Sequence, residues 1–130
     1  MQLTENFSKS EFDCKSGANM PDDVFFYVER LAIQLQVLRD YLKRPIRITS
    51  GYRNPHHNAG IKGASKNSQH IYGKAVDIQV KNMEAKQVYS VIEQLINDGK
   101  MQEGGLGLYD TWVHYDIRGF KARWDKTKKW

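Results

Sequence analysis

The chain carries one cysteine, Cys14, among its 130 residues. That scarcity excludes an internal disulfide framework and a cysteine-rich zinc module, and it points to a reducing compartment of synthesis. Stability must then come from packing and from any metal bound. Long apolar runs are missing as well. No window approaches the roughly 20 residues a membrane span needs, so no membrane insertion is expected. The first residues, MQLTENFSKSEF, lack a basic start followed by an apolar stretch, so the chain is expected to be made in the cytoplasm without a signal peptide, with any export needing outside help. No internal repeat or low-complexity segment appears. A chain of 130 residues that is 40% hydrophobic fits one domain over 1–130 and leaves no room for a second. What is abundant is positive charge. A net charge of +5 and a pI near 9.3 favour a polyanionic partner, whether nucleic acid, an anionic membrane surface or an anionic wall polymer.

Residues 1–20 read as a polar arm whose two rings, Phe7 and Phe12, dock on the domain. From Pro21 the pattern is helical: Val24, Val28, Leu31, Leu35, Leu38 and Leu42 recur at spacings of three and four, with Asp22 and Asp23 at the favourable positive end. The sequence Lys43-Arg44-Pro45 stops this helix of about 20 residues, and Ile46 to Thr49 alternates as a strand should. Residues 51–69, rich in Gly, Asn, Ser, His and Lys, are expected to form a long surface loop, a length uncommon unless functional. Ala75 to Val80 reads as a second strand. A second helix is expected from Asn82 as N-cap to Gly99 as stop. Gly104 to Tyr109 and Trp112 to Ile117 read as a hairpin turning at Asp110-Thr111. The tail, 118–130, is basic, contains Phe120, Trp124 and Trp130, and shows no clear period. This order implies an α+β domain in which a small antiparallel sheet carries helices on one face and a site on the other.

The chemistry concentrates in residues 50–77, SGYRNPHHNAGIKGASKNSQHIYGKAVD, and in the later VHYD. Two imidazoles and a carboxylate, His70, Asp77 and His114, form the ligand set of a catalytic zinc, which keeps its fourth position for water. The hypothesis is a zinc hydrolase. Either histidine alone would more often be a solvated or hydrogen-bonded side chain. Their company changes that reading, because alternation puts Trp112, His114 and Asp116 on one face of a strand and Val113, Tyr115 and Ile117 on the other.

The motifs SGYR (50–53), SQHIYGKAVDI (68–78) and VHYDIRG (113–119), with the Glu11-Phe12-Asp13-Cys14 element and the helix before SGYR, resemble the M15 peptidase family. These are zinc D-alanyl-D-alanine carboxypeptidases and murein endopeptidases that share a metal-site fold with lysostaphin-type enzymes and the hedgehog signalling domain. The resemblance implies that His70, Asp77 and His114 bind zinc and that the substrate is a peptidoglycan stem peptide. It further implies a single-domain, monomeric enzyme of the phage or prophage endolysin kind, acting on the bacterial cell wall and needing no nucleic acid. Zinc chemistry needs an acid/base group and a cation for an oxyanion or substrate carboxylate. Asp116 is either that acid/base group or a partner orienting a ligand imidazole. Some members of the family place a carboxylate three positions before the last histidine, where Thr111 stands here, with Asp110 a neighbouring candidate. Arg53 resembles the family's substrate or oxyanion arginine; the plain alternative is a surface ion pair. Ser68 and Gln69 either bind the substrate backbone or support the loop. His56 and His57 read as exposed loop histidines. The competing function is a zinc-containing binding module of the same fold without catalysis.

Overall fold

Hydrophobic spacing and the positions of proline and glycine set most of the elements. The computed structural model describes residues 1–65 and 67–128, so Trp130 of the tail lies outside the described residues. Helix α1 spans Asp22–Leu42, starts directly after Pro21, and buries Val24, Val28, Leu31, Ala32, Leu35 and Leu38 along one stripe. Strand β1, Ile46–Ser50, follows the Pro45 stop, and β2 occupies Ala75–Val80 as its alternation required. The hairpin is present as β3, Gly105–Leu108, and β4, Val113–Asp116.

Three expectations are corrected. The 51–69 stretch is not a bare loop: it holds a short helix α2, Pro55–Ala59, and the start of a 3-10 turn, Gln69–Tyr72. Asn54 caps α2 through its side-chain oxygen, which accepts from the His57 N–H at 2.8 Å, and Pro55 fills the first helical position. Helix α3 begins at Ala85 rather than after Asn82, and ends at Asn97. Glu84 caps it, with the Gln87 side chain accepting from the Glu84 N–H at 2.9 Å, while Asn82 takes a left-handed turn conformation that asparagine tolerates. The tail contributes a fifth strand, β5, Ala122–Asp125. It pairs parallel to β3, so the sheet, in the order β1-β2-β4-β3-β5, is antiparallel at every pairing but that one.

Alternation then divides the sheet. Val76, Ile78, Leu106, Val113 and Tyr115 are fully buried in one cluster with Val28, Leu31 and Leu35 of α1 and Val88, Ile92 and Leu95 of α3. Asp77, His114, Asp116 and Trp124 stand on the opposite face. The N-terminal arm joins the same core. Phe7 and Phe12 are buried edge to face at 6.4 Å, and the Phe12 carbonyl accepts from the Tyr52 N–H at 2.8 Å, tying the arm to the segment that follows β1. Among the described residues no helix is long and apolar enough to cross a membrane.

Because the Phe12 ring is fully buried in the core beside Phe7, Phe12→Ala is expected to lower unfolding stability by about 3–5 kcal/mol, the usual cost of a large core truncation. Urea unfolding measures it, and a loss under about 1 kcal/mol would mean the arm is not part of the core.

Candidate metal centre

Antiparallel pairing of β2 with β4 sets Asp77 opposite His114 and Ala75 opposite Asp116. His70 reaches the same point from the 3-10 turn that precedes β2. Ser68 caps this turn, its hydroxyl oxygen accepting from the His70 N–H at 3.2 Å, and Gly73 closes it with a left-handed φ of 75°. The His70 Nε2 and His114 Nδ1 atoms each lie 3.4 Å from Asp77 Oδ1. All three side chains are buried, and one ligand atom from each falls within 4.8 Å of the others; among the described residues this is the one such group found.

Hydrogen bonds behind the imidazoles fix which nitrogens face inward. His70 Nδ1 is 2.8 Å from the Gly51 carbonyl oxygen, which can only accept, so Nδ1 carries the proton and Nε2 presents its lone pair to Asp77. His114 Nε2 is 2.6 Å from Asp116 Oδ2. Burial alone would push the Asp116 carboxyl up, but bonds from His114, Arg118 and the Gly105 N–H outweigh it and hold Asp116 well below the usual carboxylate range. As an acceptor only, it takes the Nε2 proton and leaves His114 Nδ1 aimed at Asp77. Arg118 grips Asp116 with Nε at 2.9 Å and Nη2 at 2.8 Å. This close approach also needs Gly105, because a Cβ there would collide with the Asp116 carboxylate.

Asp77 is ionised for the same kind of reason. Burial raises its carboxyl, and the imidazoles of His114 and His70, which donate to it when their inward nitrogens carry a proton, more than reverse that. Burial, the largest influence on both histidines, lowers His70 below its ordinary value. On His114 the bonds to Asp116 and Asp77 overcome it and lift the ring above 6.5. Two inward lone pairs and a carboxylate oxygen thus converge on one buried point that attracts positive charge, either a proton on His114 or a metal ion. The donor set of two imidazole nitrogens and one carboxylate fits a divalent metal of the zinc kind.

The other residues singled out in the sequence fall in different places. Arg53 is no surface ion pair: its guanidinium donates to Ser50 Oγ at 3.1 Å, Asn58 Oδ1 at 3.3 Å and Asp77 Oδ2 at 3.3 Å, while still lining the cleft above the histidines. Ser68 and Gln69 also line that cleft, Ser68 with its hydroxyl engaged in the cap. Asp116 sits on the far side of the His114 ring, with no exposed surface. Asp110 does not join the group. It lines a separate cleft with Met83, Glu84 and Thr111, and its carboxylate accepts from the Lys128 N–H at 3.0 Å. His56 and His57 likewise stay outside the group. Three contributors escaped the sequence reading: Arg118, Tyr109 and Trp124. The first was within reach of the alternation that already linked His114 to Asp116, two residues further on. Trp124 packs on the His114 ring at 4.9 Å, and its indole N–H donates to the Tyr109 hydroxyl at 3.0 Å.

The fold and site define an α+β domain with a two-histidine, one-aspartate group that could hold a metal ion. The chain belongs to the peptidase M15 family, whose model matches residues 3–116. Among curated proteins it is similar to a probable peptidoglycan L,D-endopeptidase, MepK, of Haemophilus influenzae, with 36% identity over 77 residues. That match covers 55% of this chain and 38% of the relative's length. No solved structure matches the chain.

Two outcomes are expected. Because Asp116 fixes the tautomer and orientation of His114, Asp116→Asn should weaken zinc affinity by roughly 10- to 100-fold, with full occupancy recovered at saturating metal. A chelator competition titration checks this, and unchanged affinity would sink it. Because metal must displace the proton from a His114 whose pKa is raised above 6.5, affinity should fall on acidification, starting above that value rather than at it. The same titration repeated from about pH 8 to about pH 6 should show the decline, and a flat profile would contradict it.

Proposed function

We propose that the chain is a zinc-dependent peptidase that hydrolyses amide bonds in peptidoglycan peptides. The observation that carries this reading is the convergence of His70 Nε2, Asp77 and His114 Nδ1 in a cleft of about 710 Å³, each held from behind by a partner of its own. Membership of a peptidase family supports the reaction class, and the name of the Haemophilus relative supports the substrate and a cut within the peptide over trimming of a terminal D-alanine. The charge of the cleft agrees. Among the described residues, Arg53, Lys62, Arg118 and Lys126 line it against a single carboxylate, Asp77, which suits an anionic wall polymer.

In this reading His70, Asp77 and His114 hold the zinc. When bound, zinc supplies Lewis acidity, polarising the scissile carbonyl and acidifying water. The chain's own residues prepare the place for it. Gly51 and Asp116 keep the two imidazoles in the metal-binding tautomer, and Arg118 keeps Asp116 ionised. Arg53 pairs with Asp77 Oδ2 and leaves Oδ1 facing the two imidazoles. A guanidinium has five N–H donors, of which three are engaged here, so Arg53 retains donors for a substrate carbonyl or carboxylate at the cleft.

One observation favours a second reading, a zinc-containing binding module. The only carboxylate lining the cleft is the ligand Asp77, and Asp116 is fully committed to His114, Arg118 and Gly105, so no carboxylate stands free as a general base among the described residues.

The two readings separate on turnover. Zinc-loaded protein incubated with purified peptidoglycan should release soluble peptide fragments, lose this activity in a chelator and regain it on zinc addition. Stoichiometric zinc with binding to the wall but no fragments by mass spectrometry would assign the domain to the binding class.

A further inference from the structure

Strand β5 lies beyond residues 3–116, the part of the chain that matches the family, yet it builds one wall of the cleft. Its pairing sets Trp124 beside Gly107, and a Cβ on that glycine would occupy the same space as the indole. The ring is fixed on three sides: against His114 at 4.9 Å, by its N–H to the Tyr109 hydroxyl at 3.0 Å, and beneath the Arg118 guanidinium at 5.4 Å. Tyr109 is in turn stacked on Trp112, centroids 4.5 Å apart and planes within 9°. The result is a rigid aromatic surface, open to the cleft and adjoining a metal ligand.

Lys126 follows two residues later, so extended backbone projects it to the same side as Trp124, and it too lines the cleft. The Lys126 N–H donates to the Leu108 carbonyl at 2.8 Å, which anchors this part of the chain to the edge of the sheet. Its side chain is exposed and has no partner among the described residues. That distinguishes it from the two arginines of the cleft, which are tied to Asp77 and Asp116. A free ammonium next to a preformed aromatic surface suits one kind of ligand group.

We propose that β5 is the specificity-determining wall of this site: Trp124 seats an aliphatic side chain of a bound peptide, and Lys126 pairs with a free carboxylate adjacent to it. The inference rests on the peptidase reading of the same cleft and deepens it, since it names the substrate class as peptides with an unamidated carboxyl next to a small apolar residue.

The test measures binding, so it does not depend on turnover. Two synthetic stem tetrapeptides of identical sequence ending in D-alanine, one a free acid and one a carboxamide, carry the same N-terminal fluorophore. Their anisotropy is measured at low temperature on the zinc-loaded chain, with mass spectrometry verifying that the peptides stay intact. The free acid should bind about fivefold more tightly than the carboxamide, as expected of a solvent-accessible charge pair. Lys126→Gln, an exposed substitution that leaves the fold alone, should bring the ratio to about one. Trp124→Phe should weaken both peptides alike and keep the ratio. Equal binding of the two peptides to the unmodified chain, no binding of either, or a preference that survives in Lys126→Gln would overturn the proposal. Failure of the peptidase reading shows elsewhere, as absence of fragments from peptidoglycan while the acid preference persists.

Discussion

Asp77 and His114 face each other across two neighbouring strands, and nearly everything else in the molecule depends on that register. Side chains alternate along a strand, so a slip of one residue between β2 and β4 would turn one of the two over: either the carboxylate goes toward the helices and Val76 and Ile78 come out, or the imidazole does and Val113 and Tyr115 come out. Both outcomes are costly. An unpaired carboxylate in the core lacks compensating donors, and the displaced apolar groups lose their contacts with α1 and α3. The core therefore enforces the site. The same residue pairs that make the helix-facing side continuous put two members of the candidate metal group at one level on the other side, and the turn before β2 needs only to deliver His70.

Behind that pair lies a set of hydrogen bonds directed outward from the ligands. Gly51 takes the proton of His70, Asp116 takes that of His114, and Arg53 takes the spare oxygen of Asp77. Each fixes an orientation and a protonation state, and two of the three supports are themselves supported: Asp116 by Arg118, and Arg53 by Ser50 and Asn58. Two lone pairs and an anion are crowded together in the buried space at this centre. That imbalance is a physical reason for a cation to be held there, independent of any relative.

Much of this was legible in the sequence because the relevant periods are clean. β2 runs from Ala75 to Val80 as read, α1 begins where proline and two acids said it would, and the hairpin turns at Asp110-Thr111. That His70, Asp77 and His114 come together agrees with residue type, spacing and the family resemblance. What escaped has identifiable causes. α2 is too short to show a helical period, and its signal was the Asn54-Pro55 start alone. β5 reverses the usual alternation: Arg123, level with the buried Leu106, turns to the helix side and is neutralised there by Glu93 and Glu103 at 2.8 and 2.7 Å, while Trp124 faces outward. A charged residue inward and an aromatic one outward reads as no strand at all. The contact of Asp116 with His114 Nε2 was not legible, because spacing places a carboxylate near an imidazole without saying which nitrogen it meets.

The fit between Gly107 and Trp124 has a consequence for how such a domain can change over generations. The indole fills the volume a side chain at 107 would need, so the two positions behave as one unit of shape although 17 residues apart in a chain numbered 107 and 124. Neither can be altered freely while the other stays. Enlargement at 107 has to be preceded or accompanied by loss of the indole, and a homologue that lacks the fifth strand is released from the requirement for glycine there. The wall of the cleft is therefore inherited as a matched pair, half of it written in the hairpin and half in the strand that follows.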